Sequence, residues 1–146
     1  MLVYWGDHLP YLGDNQLGYR QLGLDVLPGP EGQENLAAYK TPYVIWANDA
    51  AAEELDWNHA VNSLELPETL SSCFLGAAVL ELTGRGEESP WFSFLNQLRR
   101  ELPVVQKNFY QLADGSAAGE LSSEQREFLQ KWRRWSYYKL QYKEVS

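Results

Sequence analysis

An unbroken apolar run, LVYW, occupies residues 2–5 and ends at Gly6. A strand with one side in water alternates apolar and polar residues, whereas a strand buried on both faces, as in a parallel sheet, is apolar throughout. A second run of this kind, PYVIWA, covers residues 42–47, and its proline stands at the first position, where a missing N–H is tolerated. The pattern predicts two buried, mostly parallel strands. Because two strands alone form a marginal sheet, they need further strands beside them.

Helical periodicity dominates the second half of the chain. Apolar residues recur on one side of residues 69–83, and Gly84 follows at a position where helices commonly end. A serine and a proline precede the next apolar stripe, which runs to residue 102, in the order of an N-cap and a first helical residue. Ser122 and Gln125 have the spacing of a capping box. About three helices are therefore expected after the second strand.

The segment between the two strands, residues 8–40, is rich in Gly, Pro, Asn and Asp. It predicts a long loop with a turn at residues 28–30 and a short helix near residues 16–22. The resulting order of strands and helices indicates an α/β protein. Since the first strand needs partners on both sides, we expect residues 1–146 to be the C-terminal portion of a larger α/β domain.

Charge is unevenly distributed along the chain. Twelve Lys and Arg stand against twenty Asp and Glu, and the net charge of −8 argues against a broadly basic nucleic-acid-binding protein. Residues 126–146 carry +4, which leaves −12 for the remainder. Within this tail, the segment KWRRWSYYK at residues 131–139 can stack on single-stranded nucleic acid or lie on a membrane surface. We favour a structural interpretation, in which Trp132 and Trp135 pack on the body of the protein and the cations face water.

Cysteine content and the first residues bear on the compartment. Cys73 is the only cysteine, so no internal disulfide forms, and its place on an apolar helix side predicts an unreactive core residue. The first residues lack the basic stretch and the apolar length of a signal peptide. No apolar run approaches the ~20 residues that cross a bilayer. The chain as written is expected to be soluble.

One group of residues carries recognisable chemistry. Asp7 and His8 follow the first predicted strand directly, and Gly6 lets the backbone turn sharply before them. Ligands of open parallel sheets bind beyond the carboxyl ends of the strands. Because carboxylate oxygen and neutral imidazole both bind zinc or manganese, Asp7 and His8 are candidate ligands of a divalent cation. A hydrogen-bonded loop without metal is the alternative that the spacing leaves open.

A family resemblance covers nearly the whole chain. Residues 3–10, VYWGDHLP, resemble the strand end with the motif GDH in sulfatase-like enzymes, most of all in the lipoteichoic acid synthase and phosphoglycerol transferase branch of the alkaline phosphatase superfamily. Further similar segments follow in the family's order: YKTPYVIW at 39–46, LELTG at 80–84, SPWFSFL at 89–95, ELPV at 101–104 and LQY at 140–142. The resemblance implies the C-terminal portion of an alkaline-phosphatase-like α/β/α sandwich.

The resemblance also implies an activity. Enzymes of this family hold a divalent cation, often manganese, with a Glu, a Thr nucleophile and a consecutive Asp-His pair, and they transfer glycerol phosphate from a phosphodiester to an acceptor or to water. By motif, Asp7 and His8 are two metal ligands, with manganese favoured over zinc or magnesium. The family's Glu and Thr precede the Asp-His strand, so Thr41, Thr69 and Thr83 cannot be the nucleophile. No catalytic residue is assigned, and the chain alone is expected to bind metal weakly and to be inactive.

The same resemblance implies partners and a location. The expected partner is the upstream part of the catalytic domain, with no nucleic acid involved. Contact with a membrane is expected only through an N-terminal region outside this chain, because the family's catalytic domain is membrane-anchored and extracytoplasmic. The alternative hypothesis is a non-catalytic α/β module that self-associates or binds a partner through exposed strand edges.

Three further candidate sites have simpler structural interpretations, which we favour. His59 is a candidate for a second metal site, but a solvated surface histidine is the simpler interpretation. The acidic residues within 49–56 lack the regular spacing and the glycine of a calcium-binding EF-hand loop, so they predict a solvated face. Residues 84–86, Gly-Arg-Gly, are able to contact phosphate, but the end of a helix accounts for both glycines.

Overall fold

The computed structural model describes residues 1–27, 35–107 and 109–141, except for the side chains of 139–141. Two compact units divide the chain, Met1–Ala51 and Ala52–Ser146. Helices are combined with two small antiparallel sheets in the described residues, which confirms the predicted mixture of α and β structure. None of the described helices is both long enough and apolar enough to cross a membrane.

The first unit is built on one pair of strands. It contains β1 (Leu2–Trp5), α1 (Leu17–Gln21), β2 (Tyr43–Trp46) and two short 3-10 turns at Asp14–Gln16 and Leu36–Tyr39. In β1 and β2, Leu2 lies opposite Trp46 and Trp5 lies opposite Tyr43, so the two strands are antiparallel. Tyr19 and Val26 are the buried apolar residues among those described in this unit.

The prediction of parallel strands buried on both faces is wrong for the described structure. The backbone N–H of Gly6, at the end of β1, donates to the carbonyl of Pro42, at the start of β2, so the chain returns to the end of the sheet that it left. A parallel partner requires a crossover that carries the chain back to the opposite end. An apolar run reports burial and not direction, and one side of this sheet is exposed, with Leu2 at 57%, Tyr4 at 60% and Trp46 at 54%.

The second unit holds the main apolar core. Its elements are α3 (Trp57–Leu64), a 3-10 turn at Ser72–Phe74, α4 (Leu75–Leu82), α5 (Pro90–Glu101), β3 (Val104–Val105), β4 (Tyr110–Gln111) and α6 (Ser123–Gln141), while α2 (Asp49–Glu54) lies across the boundary between the units. The core is formed by Phe74, Ala77, Phe94, Leu95, Leu98, Leu102 and Leu129. Aromatic side chains from α5 and α6 pack around it, so three of the helices share one core.

Local signals set the helix ends as predicted. The Ser122 hydroxyl accepts from the Gln125 N–H at 3.1 Å, and the Gln125 side chain accepts from the Ser122 N–H at 3.0 Å, which confirms the capping box. Proline begins α5 directly after Ser89. Gly84 has φ +71, the left-handed conformation that ends a helix after α4.

Other parts of the second unit differ from expectation. The hairpin of β3 and β4 was not predicted, since each strand has only two residues. The predicted helix over 69–83 is shorter, with a 3-10 turn before α4. The predicted turn at residues 28–30 and the tail residues 142–143 lie outside the described residues.

A buried polar cluster lies between α4 and α5. The Arg99 side chain is 1% exposed and donates to Glu81 Oε2 at 2.5 Å and to Asn96 Oδ1 at 2.8 Å. Asn96 in turn donates to the carbonyl of Ala77 at 3.1 Å, and Arg100 pairs with the second oxygen of Glu81. Every one of these contacts joins groups of the second unit, so the cluster fixes α5 against α4 by directional bonds as well as by apolar packing.

Candidate metal-binding strand end

Gly6 joins β1 to the candidate ligands under tight steric limits. Besides the N–H bond to Pro42, its carbonyl accepts from the Thr41 hydroxyl at 2.7 Å. A Cβ at Gly6 would come within 2.9 Å of the Thr41 Cβ, closer than such atoms approach in proteins. Glycine is therefore required by the close approach of Thr41, and both contacts fix the direction in which the chain leaves β1.

Asp7 and His8 are brought side by side at this strand end. The Asp7 Oδ1 accepts from the backbone N–H of His8 at 2.9 Å, and the Asp7 Oδ2 lies 3.5 Å from His8 Nε2. Both side chains are exposed, at 84% for Asp7 and 77% for His8. The pair is therefore open to a ligand that arrives from solvent.

The hydrogen bond at the other ring nitrogen sets the tautomer of His8. Nδ1 lies 3.0 Å from the carbonyl oxygen of Leu9. Because a carbonyl oxygen only accepts, Nδ1 carries the proton, and neutral imidazole keeps its lone pair at Nε2. Metal-binding histidines are commonly oriented by such a bond from the second nitrogen to a backbone carbonyl.

The chemistry of the pair fits a divalent cation. Two ligands at about 2.1 Å from one ion, in a tetrahedral arrangement, lie about 3.4 Å from each other. The Nε2–Oδ2 distance of 3.5 Å is close to that value. Asp7 and His8 therefore suit two positions around one ion without rearrangement of their side chains.

The described residues bring no further protein ligand to the pair. Within ranges 1–27, 35–107 and 109–141, no group of three or more His, Cys, Asp and Glu is placed to hold a metal ion. The Thr41 hydroxyl is bound to the Gly6 carbonyl, and the Thr83 hydroxyl donates to carbonyls of its own helix. The remaining ligands of a working site must come from water or from another part of the protein.

The segment after His8 is held by its own contacts. The hydroxyl of Tyr19, which is 5% exposed, donates to the Pro10 carbonyl at 2.7 Å. The Gly18 N–H donates to the Leu12 carbonyl at 2.8 Å. The Tyr11 hydroxyl binds the Asp14 carboxylate, and this hydrogen bond raises the pKa of Tyr11. These bonds hold residues 10–19 as a compact turn directly after the candidate ligands.

The other candidates are surface features. His59 is exposed on α3, as are the acidic residues Asp49, Glu53, Glu54 and Asp56. Arg85 lies after α4 and forms a two-point ion pair with Glu88, with its Nε at 2.9 Å from one carboxylate oxygen and Nη2 at 2.8 Å from the other. The carboxylate of Glu88 is thereby the partner that raises the pKa of Arg85.

Cys73 differs from its prediction as a core residue. Its side chain is exposed, in the 3-10 turn before α4, where it lies beside the buried Phe74 and not in the core. The protein atoms around the sulfur still displace water, and this desolvation raises the pKa of the thiol to about 11. The thiolate is therefore scarce at neutral pH, as expected for an unreactive cysteine.

Comparison with known proteins gave no match to a family model, to a curated protein or to a solved structure.

Sequence reasoning identified Asp7 and His8 but missed the residue that positions them. Thr41 lies 35 residues after Gly6, and nothing in the local pattern indicates that its hydroxyl binds the Gly6 carbonyl. The one available signal was the apolar run that follows it, which predicted a strand partner near Gly6. The register of that partner was needed to place Thr41.

Proposed function

We propose that this chain is the C-terminal part of a metal-dependent phosphoglycerol transferase or sulfatase-like hydrolase that acts on phosphodiesters of lipid head groups or cell-envelope polymers. The observation that carries the proposal is the pairing of Asp7 Oδ2 with an unprotonated His8 Nε2 at 3.5 Å, directly after a strand. The ordered resemblance of segments from residue 3 to residue 142 supports the same family.

In this proposal Asp7 and His8 supply two ligands of one divalent cation, with manganese favoured over zinc or magnesium. A bound cation lowers the pKa of an attacking hydroxyl and neutralises charge on phosphate oxygens. The chain's own part is to hold the carboxylate and the imidazole in a fixed relation, through the Gly6 contacts and the Leu9 carbonyl. The nucleophile and the remaining protein ligands belong to the upstream part of the domain, so the chain alone is inactive.

The proposal also gives the exposed side of the first sheet a place in a larger fold. We infer that β1 and β2 form an antiparallel pair within the mixed sheet of an alkaline-phosphatase-like sandwich. Leu2, Tyr4, Val44 and Trp46 lie on one side of the pair and are all about half exposed. In the whole domain they would pack against the upstream part, which is anchored to the membrane and lies outside the cytoplasm.

Asp7→Ala is expected to abolish the binding of Mn²⁺, since it leaves a single imidazole as ligand. The wild-type chain is expected to bind Mn²⁺ weakly with a stoichiometry of one, because two protein ligands hold a metal less tightly than four. Titration calorimetry, together with the electron paramagnetic resonance signal of free Mn²⁺, measures both. His8→Ala is expected to behave like Asp7→Ala.

Asp49→Ala is the matched control, because it removes an equally exposed carboxylate and changes the net charge by the same amount. Equal Mn²⁺ binding by the wild type, Asp7→Ala and Asp49→Ala would contradict the metal site. A chain extended by its natural upstream segment should gain phosphodiesterase activity that Asp7→Ala removes. Activity that survives in the extended Asp7→Ala protein would contradict the role of this carboxylate.

The exposed apolar side of β1 and β2 favours a second candidate function, self-association. Both outer edges of this two-stranded sheet are unpaired among the described residues, and open edges with apolar side chains pair with other chains. Trp46→Glu is expected to convert a concentration-dependent oligomer into a monomer in sedimentation velocity. Leu22→Glu is the control, because Leu22 is 69% exposed outside the sheet. A wild-type chain that stays monomeric at its highest soluble concentration would contradict this function.

A further inference from the structure

The last helix, α6, has two chemically different sides. Its inner side carries Leu129, which is 5% exposed, and Trp132 and Trp135, which pack against the apolar core. Trp135 lies 5.8 Å from the ring of Trp91 on α5. The structure confirms the prediction that these tryptophans pack on the body of the protein. The helix is therefore held at a fixed rotation about its own axis, and its other side must face water.

Arg133, Arg134, Tyr137 and Tyr138 are exposed on the outer side of α6, and we call them the cationic face. Tyr137 is 67% exposed and Tyr138 is 53% exposed. Among the residues that the structure describes, Arg133 and Arg134 form no ion pair and no hydrogen bond from their side chains.

Other arginines of the second unit are occupied. Arg85 pairs with Glu88, and Arg99 and Arg100 both pair with Glu81. Arg126, in the first turns of α6, donates to the carbonyl of Leu121 at 2.7 Å. A chain with eight more acidic than basic residues thus leaves two neighbouring guanidinium groups unneutralised beside two exposed tyrosines.

We propose that the cationic face binds the surface of an anionic phospholipid bilayer. Guanidinium groups bind phosphate oxygens with two parallel N–H donors. Tyrosine has an apolar ring and a polar hydroxyl, and it is suited to the boundary between acyl chains and head groups. The two residue types alternate in pairs along less than two turns of helix, so one patch offers both contacts to a flat surface. This inference rests on α6 and is independent of the metal site.

The helix dipole and a nucleic-acid ligand each account for less of the geometry of the cationic face. Cations near the end of a helix interact favourably with its dipole, but this effect places no tyrosines beside them. Single-stranded nucleic acid binds in grooves that combine cations with aromatic stacking platforms. Here the tryptophans are turned inward and the cationic face is the convex side of one helix. A convex patch suits a planar membrane surface.

Sedimentation with lipid vesicles tests the inference. The wild-type chain is expected to sediment with phosphatidylcholine vesicles that contain about a third phosphatidylglycerol, to sediment far less with pure phosphatidylcholine, and to be released by about 0.5 M NaCl. Arg133→Glu with Arg134→Glu is expected to weaken vesicle binding by about twentyfold or more, because each cation at an anionic surface contributes roughly fivefold.

The matched control is Arg20→Glu with Lys40→Glu, which changes the net charge by the same amount at two exposed positions of the first unit. It is expected to keep more than half of the vesicle binding, and circular dichroism checks that both variants stay folded. An equal loss in the two double variants would overturn the inference, since total charge would then govern binding. Equal sedimentation of the wild type with both lipid mixtures would overturn it, as would stronger binding to a single-stranded oligonucleotide than to the anionic vesicles.

Discussion

Leu98→Ala is expected to lower the free energy of unfolding of the second unit by about 3 kcal/mol. Leu98 lies in the middle of α5, is 0% exposed, and belongs to the core that α5 shares with Phe74 and Leu129. The substitution removes apolar atoms from a site that is closed on all sides, so it loses their transfer free energy and leaves a cavity. Urea denaturation followed by far-ultraviolet circular dichroism measures the shift.

The control for Leu98→Ala deletes the same atoms elsewhere. Leu22→Ala acts on a side chain that is 69% exposed, and it is expected to change the denaturation midpoint very little. A small effect of Leu98→Ala, comparable to that of Leu22→Ala, would show that Leu98 is not enclosed and would contradict the packing of α5 in the core. A changed slope of the transition would instead indicate that the two units unfold separately.

Glu81→Ala is expected to destabilise the second unit by about 3 kcal/mol, although Glu81 itself is partly exposed. The cost arises at its partner, because the Arg99 guanidinium is 1% exposed and would lose the carboxylate that compensates its charge. Asn96 and a 3.4 Å contact with the Leu64 carbonyl would remain, but both are neutral acceptors. The same urea denaturation experiment measures this loss.

Glu88→Ala provides the contrast for Glu81→Ala. Glu88 also pairs with an arginine, but the side chains of Glu88 and Arg85 are 59% and 61% exposed, so water replaces the lost partner. Little change in stability is expected for this variant. If Glu81→Ala and Glu88→Ala shift the midpoint equally, the Arg99 cluster is solvated in solution and the buried charge is not the cause.

Elements with local determinants were predictable from the sequence. The start of α6 depends on Ser122 and Gln125, three residues apart, and the start of α5 depends on Ser89 and its proline. The apolar stripe of α5 predicted which of its side chains are buried, because a helix has a fixed period. Each of these predictions needed only residues that are close in sequence.

Features that depend on distant residues were not predictable. Strand direction depends on where residue 42 returns, which an apolar run in residues 2–5 does not encode. Arg99 is buried because Glu81, on another helix, neutralises it. Cys73 was placed in the core by helical periodicity, but the chain forms a 3-10 turn there, with a different period. In the candidate site, Asp7 and His8 are neighbours in sequence and were found, whereas Thr41 is distant and was missed.

The bonds of Gly6 with Thr41 and Pro42 have a consequence for how the candidate site tolerates change. They tie together the two ends of the segment that separates β1 from β2, so this segment is an excursion with a closed base. Doubling the length of such an excursion costs only about 0.6 kcal/mol of closure entropy. Insertions beyond residue 24 are therefore expected to leave Asp7 and His8 in place. The chemistry of the strand end and the length of the loop are separable traits, free to vary independently among related chains.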